Sequence, residues 1–443
     1  MNQELMRRFL LRISAALLSF IIGPAGAWYY KQEIGLVIYL IIYISSRTLS
    51  AEFSSINQAL AIKGYRTSSC FLIAAGMLGF FSKSELGLLF VIPFLLGTYE
   101  GLFWVAYHGI RKARDKLLSG KNDVEEAKQR SLRLFQFLEI LATVFSALII
   151  LALDLNGFNF EIGAIIGGLA AGFALFIPMD EESKSSPISL ETMDQSEERF
   201  AFGRIIAGST AIMTLSVTWC MRYFALDSGG VGLLSTFIAC AAIIGYLVNQ
   251  FFKIDYKNLP SFSQPILLTK KLYNRWKDGR TKQNRNIWIW GHVFALLGII
   301  PMIISVLLFD FLFIYCYLIW AAAWQGMLRP MEINIAGSFL GGKDAIGARE
   351  RWKFRTSSRF LFLCTGWFGI FVLTIGIENL TKDLVLVSGL FLSMIGAVSN
   401  IYATPKECAK DGCNKWAVNQ GNEESICEDC KMLNMKSAEM VRV

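Results

Sequence analysis

Charge is scarce in this sequence. Asp, Glu, Lys and Arg make up 18% of its 443 residues, where an ordinary soluble domain carries about 25%. A single water-solvated globule of this length is a poor fit. Histidine is scarcer still, with only His108 and His292 in the chain. Both fall at the edges of apolar stretches, a position that suits interfacial residues and leaves no basis for a Ser-His-Asp site. No Gly-rich phosphate loop precedes a Lys-Ser or Lys-Thr pair, so ATP-driven work is unsupported. The sequence carries no enzyme signature.

What is present is apolar. Hydrophobic residues make up 54% of the chain and the mean hydropathy is +0.45. They come in long runs separated by short polar segments. A helix needs ~20 mostly apolar residues to cross roughly 30 Å of hydrocarbon, and inside lipid the backbone must satisfy itself, which makes each run a helix. Twelve spans are expected, at about 9–30, 34–50, 67–82, 85–110, 131–155, 159–179, 202–226, 230–252, 287–308, 310–330, 358–377 and 383–402. The basic start, Met1 to Arg12, leads into the first run with no small-x-small cleavage site after it, and is expected to be a retained helix.

The net charge of +8 does not point to nucleic acid, because the basic residues sit between the apolar runs. With the N-terminus inside, 39 of the 43 Lys and Arg fall in inward-facing segments, leaving Lys31, Lys83, Arg222 and Lys382 outside. Cytoplasmic loops keep their positive charge because it resists translocation. The expectation is a multi-pass plasma-membrane (inner-membrane) protein with both termini cytoplasmic and the lipid bilayer as its first partner. Arg222, near the outer end of its span, either snorkels to the surface or meets an anion. Of nine cysteines, Cys70, Cys220, Cys240, Cys316 and Cys364 lie singly in apolar runs and read as small packing residues.

The loops suggest the division of the chain. Residues 180–198 are acidic and Ser-rich with no apolar face, the composition of a flexible linker. This gives a six-helix half over 1–179, a cytoplasmic linker over 180–200, a second half over 201–402 and a tail over 403–443. The basic segment 253–286 contains PILLTKKLYNRWKDGR. It is either an amphipathic helix on anionic lipid or a solvated loop that holds topology.

The two halves share a pattern. The fourth span carries Tyr99-Glu100-Gly101-Leu102-Phe103, and the tenth carries Trp324-Gln325-Gly326-Met327-Leu328. An aromatic, Glu or Gln, Gly and two apolar residues recur six spans apart in the same direction of travel, as in carriers built from parallel repeats. With this repeat, the sequence resembles the major facilitator superfamily. Lys63-Gly64-Tyr65-Arg66 is similar to the end of its loop between helices two and three. The stretches 94–108, 225–236 and 322–330 are similar to its fourth helix, its seven-to-eight turn and its tenth helix. The resemblance covers about residues 5–402. It implies an all-α membrane fold of two six-helix bundles, with helices one, four, seven and ten around a central cavity. The chain departs from the family in two places: the usual Gly-x-x-x-Asp start of the loop motif is absent at 55–63, and the fifth span, 136–155, lacks the Gly-Pro-x-x-Gly-Gly run of proton-antiporting exporters.

A charged side chain at mid-membrane costs at least ~2.5–3.5 kcal/mol and so should face a partner or a wet cavity. Glu100 lies well inside the fourth span, with Trp104 and Tyr107 on its helical face. Glu139 lies a few turns into the fifth. Each is either a proton-exchanging carboxyl or a polar lock between helices. On the tenth span, Tyr317, Trp320 and Trp324 recur on one face beside Gln325. They suit stacking of an organic, cationic solute, or plain packing. These residues form the expected site for a small-molecule solute.

The tail holds the tightest local motif. Cys408 and Cys413, then Cys427 and Cys430, place four thiols within 23 residues. Two short Cys pairs across a loop match a closed, four-thiolate structural zinc site, and a reducing cytoplasm disfavours disulfides. With no open coordination position the metal would fold the tail rather than catalyse. The expected role is docking of a cytoplasmic protein, or regulation. Two functions follow: a secondary transporter working by alternating access, or a transporter-like scaffold or sensor acting through its zinc tail.

Overall fold

The computed structural model describes residues 3–18, 23–56, 58–81, 86–103, 124–155, 160–177, 239–241, 243–247 and 283–308, with scattered helical residues between 316 and 401. Every described element is helical. Helix α1 runs Gln3–Leu17, α2 Gly23–Ile56, α3 Gln58–Phe81, α5 Val124–Leu155, α6 Phe160–Phe176 and α7 Gln283–Leu308. Between α3 and α5 lies α4, described over 86–103. Counting described residues alone, no helix is long and apolar enough to cross a membrane.

Two expected boundaries move. The turn expected at 31–33 is helical, and α2 is continuous from Gly23. Lys31, Gln32 and Glu33 were read as a break because they are polar, but all three are good helix formers. The stronger signal is Gly23-Pro24: a proline in the first turn lacks only an N–H that has no intrahelical partner anyway. At the other end α2 continues past the expected limit of 50 to Ile56, and α3 starts at Gln58, ahead of the expected 67. The sixth run, expected at 159–179, is α6 at Phe160–Phe176.

Helix α4 opens with a π-helical turn, Gly87–Val91, closed by the Ile92 N–H bonding to the Gly87 carbonyl. Pro93 follows directly. Proline removes a ladder donor, and a wide turn beside it is a recognised way to re-seat the freed carbonyls.

The contacts between helices are made by small side chains. On α6, Gly163, Ala164, Gly167, Gly168 and Ala171 recur at helical spacing, and this stripe faces α3 and α1. A methyl added at Gly76 of α3 would lie 2.6 Å from the Gly168 Cα, so the two backbones touch. One added at Gly167 would lie 2.8 Å from Leu18 Cγ. On α2, Ser46, Ser50 and Ser54 form a matching stripe of buried hydroxyls facing α4. Large apolar side chains point the other way. Phe81, Leu86, Phe173 and Phe176 are exposed, Phe176 to 84%.

Gly76 and Gly172 make the test of this packing. Gly76→Ala is expected to cost about 1–3 kcal/mol through overpacking. Gly172→Ala, with nothing within 4 Å of the new methyl, should be neutral or gain up to about 1 kcal/mol of helix propensity. Thermal unfolding of the two variants in detergent checks the contrast.

Candidate functional site

Glycine places the site. Gly97 and Gly101 lie one turn apart on the face of α4 that meets α2. A Cβ at Gly97 would collide with Ser46 Oγ and the Tyr43 carbonyl, and one at Gly101 would lie 2.6 Å from Ser50 Cβ. This is the small-x-x-x-small arrangement that lets two helices approach backbone to backbone. The facing serines satisfy themselves locally. Ser50 Oγ donates to the Ser46 carbonyl at 2.7 Å, and Ser54 Oγ to the Ser50 carbonyl at 2.9 Å. Ser46 Oγ shares its proton between the Tyr43 carbonyl at 3.0 Å and, across the seam, the Pro93 carbonyl at 3.4 Å.

The close seam brings two charges together. Glu100, next to Gly101, is buried. Its Oε2 lies 3.5 Å from Arg47 Nε on α2. That separation is longer than the roughly 2.7–2.9 Å of a strong charge-assisted hydrogen bond, so the pair is an ion pair rather than a tight clamp. The side chains are 14% (Arg47) and 11% (Glu100) exposed. Two charges taken out of water are tolerable only as a pair. Arg47 stays protonated in any protein setting.

An aromatic ladder runs from this pair toward α3. Tyr99 stacks on Phe103 with centroids 5.3 Å apart, and Phe103 stacks on Tyr65 at the same distance. Gly64 of α3 packs against Leu102. The site is thus continuous with the core cluster of α1, α3 and α6.

Sequence reasoning found Glu100 but missed its partner. Arg47 falls near the end of the span expected at 34–50, and nothing in the apolar pattern sets it apart as a partner for Glu100. The signal that could have found it is the pair of stripes, Ser46-x3-Ser50-x3-Ser54 and Gly97-x3-Gly101. Glu139 falls within α5, and its side chain is outside the described set. Trp320 is buried against α7, where a Cβ at Gly298 would meet its backbone N at 2.8 Å and its Cβ at 2.9 Å. His292, expected at an interface, is instead fully buried in α7. Trp104, Tyr107, Tyr317, Trp324, Gln325, His108, Arg222 and the tail residues Cys408, Cys413, Cys427 and Cys430 lie outside the described residues. Among the described residues, no His, Cys, Asp and Glu cluster could hold a metal ion.

The Arg47–Glu100 pair yields a measurable coupling. Arg47→Leu alone strands a buried carboxylate and is expected to cost about 3–5 kcal/mol. Adding Glu100→Leu should restore part of that loss, giving a coupling of about 0.5–3 kcal/mol in a double-mutant cycle. Additive losses would mean that the two side chains do not interact.

The fold has known counterparts. The chain is similar to the nucleoside transporter NupG in its D323A mutant form, with a TM-score of 0.55, 12% identity, and coverage of 91% of this chain and 100% of that one. It is similar to a bacterial homologue of the iron transporter ferroportin, in an outward-facing state with soaked iron, with a TM-score of 0.54, 12% identity, and coverage of 92% and 100%. A second structure of that homologue gives 0.53, 15% identity, and coverage of 91% and 98%. No family model and no curated protein matches the sequence. These structural neighbours are a nucleoside transporter and a homologue of an iron transporter, and this chain shares their fold along nearly its whole length.

Proposed function

We propose that this protein is a multi-pass secondary transporter of the major facilitator type. It moves a small organic solute across the plasma membrane by rocking two six-helix halves around a central site. The observation that carries the reading is end-to-end likeness in fold to two transporters of different solutes. The arrangement of side chains supports it: large apolar groups stand on the outside, while Glu100, Arg47 and a row of serines lie inside. That distribution suits solvation by lipid. Neither neighbour's cargo is carried over, since likeness at 12% identity speaks for fold.

In this reading Glu100, Trp104, Tyr107, Tyr317, Trp320, Trp324 and Gln325 form the solute site, and Glu100 and Glu139 are the proton-coupling carboxyls. Proton uptake by Glu100 neutralises one partner of the Arg47 pair and loosens α4 from α2, which gives a proton gradient a mechanical handle. A second reading, a scaffold or sensor acting through its tail, rests on the four-cysteine spacing at 408–430. Cys408, Cys413, Cys427 and Cys430 would hold a structural Zn2+ on which a cytoplasmic protein docks.

Flux into proteoliposomes separates the readings. A panel of organic solutes under a proton gradient should yield at least one that accumulates, and Glu100→Gln should cut its rate by about tenfold or more. If no solute moves under any ion gradient, the scaffold reading stands in its place. For the tail, elemental analysis of the full-length protein should find about one zinc per chain, lost on replacing Cys427 and Cys430 by serine. Absence of stoichiometric zinc in the wild type removes the metal from the account.

A further inference from the structure

The proposed transport site leaves a second group of charges unused. Arg7, Arg8 and Arg12 stand on α1, and the fold turns the first two inward, to 2% and 5% exposure. Arg7 reaches across to α3. Its Nη2 donates to Ser69 Oγ at 3.5 Å, the long limit of a hydrogen bond. Its guanidinium carbon lies 5.0 Å from the centre of the Tyr65 ring, within cation–π range. These contacts orient the guanidinium without exhausting it. Its Nε and Nη1 are buried and have no hydrogen-bond partner.

A guanidinium cannot shed its proton to escape burial. A buried cation with idle donors is costly, and the remedy is an anion with several acceptor oxygens. The surroundings add charge of the same sign. Arg8 and Arg12 flank Arg7 on α1, and Lys63 and Arg66 stand exposed on α3 beside Tyr65. In this positive field a phosphate, with more charge and more acceptor oxygens than a single carboxylate, is the better counterpart to the idle Nε and Nη1 of Arg7.

We infer that the ends of α1 and α3 that meet at Arg7 bind a phosphate group, with Arg7 as its anchor. The phosphate belongs either to the headgroup of an anionic phospholipid or to a free phosphate in solution, since both present the same oxygens. The inference goes beyond the transport reading and does not depend on it.

Thermal unfolding of the full chain in a phosphate-free, neutral detergent tests it. One arm titrates inorganic phosphate, a second titrates phosphatidylglycerol, and diacylglycerol serves as the lipid lacking phosphate. The wild type should be stabilised saturably by a phosphate-bearing probe and not by diacylglycerol. Arg7→Gln should weaken the apparent affinity by about tenfold or more, and Arg7→Lys by less, because lysine keeps the charge and loses the fork. A shift with phosphatidylglycerol alone assigns the phosphate to lipid. A shift with inorganic phosphate assigns it to a free anion. If neither probe shifts the wild type, or Arg7→Gln responds as the wild type does, the inference is overturned. Should Arg7→Gln fail to fold, the wild-type titrations and Arg7→Lys decide.

Discussion

Tyr39, Tyr99 and Phe103 fill the core of the described helices while Phe81, Phe173 and Phe176 face outward. Beside that core the helices meet by close backbone contact, and that requires residues with almost no side chain. Gly97 and Gly101 let α4 lie against the serine stripe of α2. Gly76 and Gly168 do the same for α3 and α6. At this range dispersion and weak polar contacts act over a long, closely fitted seam. The same closeness decides the chemistry. A helix pair held apart by leucines would leave Arg47 and Glu100 too distant to answer each other, and neither charge would be tolerable inside.

The polar interior of the N-terminal helices is therefore organised rather than incidental. Most buried serines bond back to a carbonyl of their own helix, as Ser50, Ser54, Ser68 and Ser146 do, which keeps them small without leaving a hydroxyl idle. The charges behave differently, since a charge has no local backbone remedy of that kind. Arg47 finds Glu100 on a neighbouring helix. Arg7 finds an aromatic face and one distant hydroxyl. The ladder Tyr99–Phe103–Tyr65 lies between them, so both charge groups sit on one continuous piece of core.

Part of this was legible in the sequence. The apolar run of α6 is bounded by polar residues and is hydrophobic throughout, so its limits and the observed helix agree closely. The buried carboxyl at Glu100 followed from its depth in an apolar run. Other features were misread for one physical reason: charge was taken to mark a surface. Lys31 lies within α2. Arg47, at the end of the expected 34–50 span, is buried in an ion pair. Arg7 and Arg8 were counted as topological charge and are inside. Hydropathy averages over a window and cannot tell a charge that ends a helix from one that has a partner across a seam. The spacing of Gly and Ser carried that information, because small residues four apart are what permit the partner to come close.

Lipid, not water, must solvate the outer face of these helices if the protein is a membrane carrier. Phe173, on the exposed face of α6, is the place to ask. In a background with the native cysteines replaced, a nitroxide attached at Phe173→Cys in a reconstituted bilayer can be probed by oxygen, which partitions into lipid, and by a water-soluble nickel chelate. Lipid solvation predicts frequent collisions with oxygen and few with nickel. Dominant collisions with nickel would place that face in water and contradict the membrane carrier proposed here.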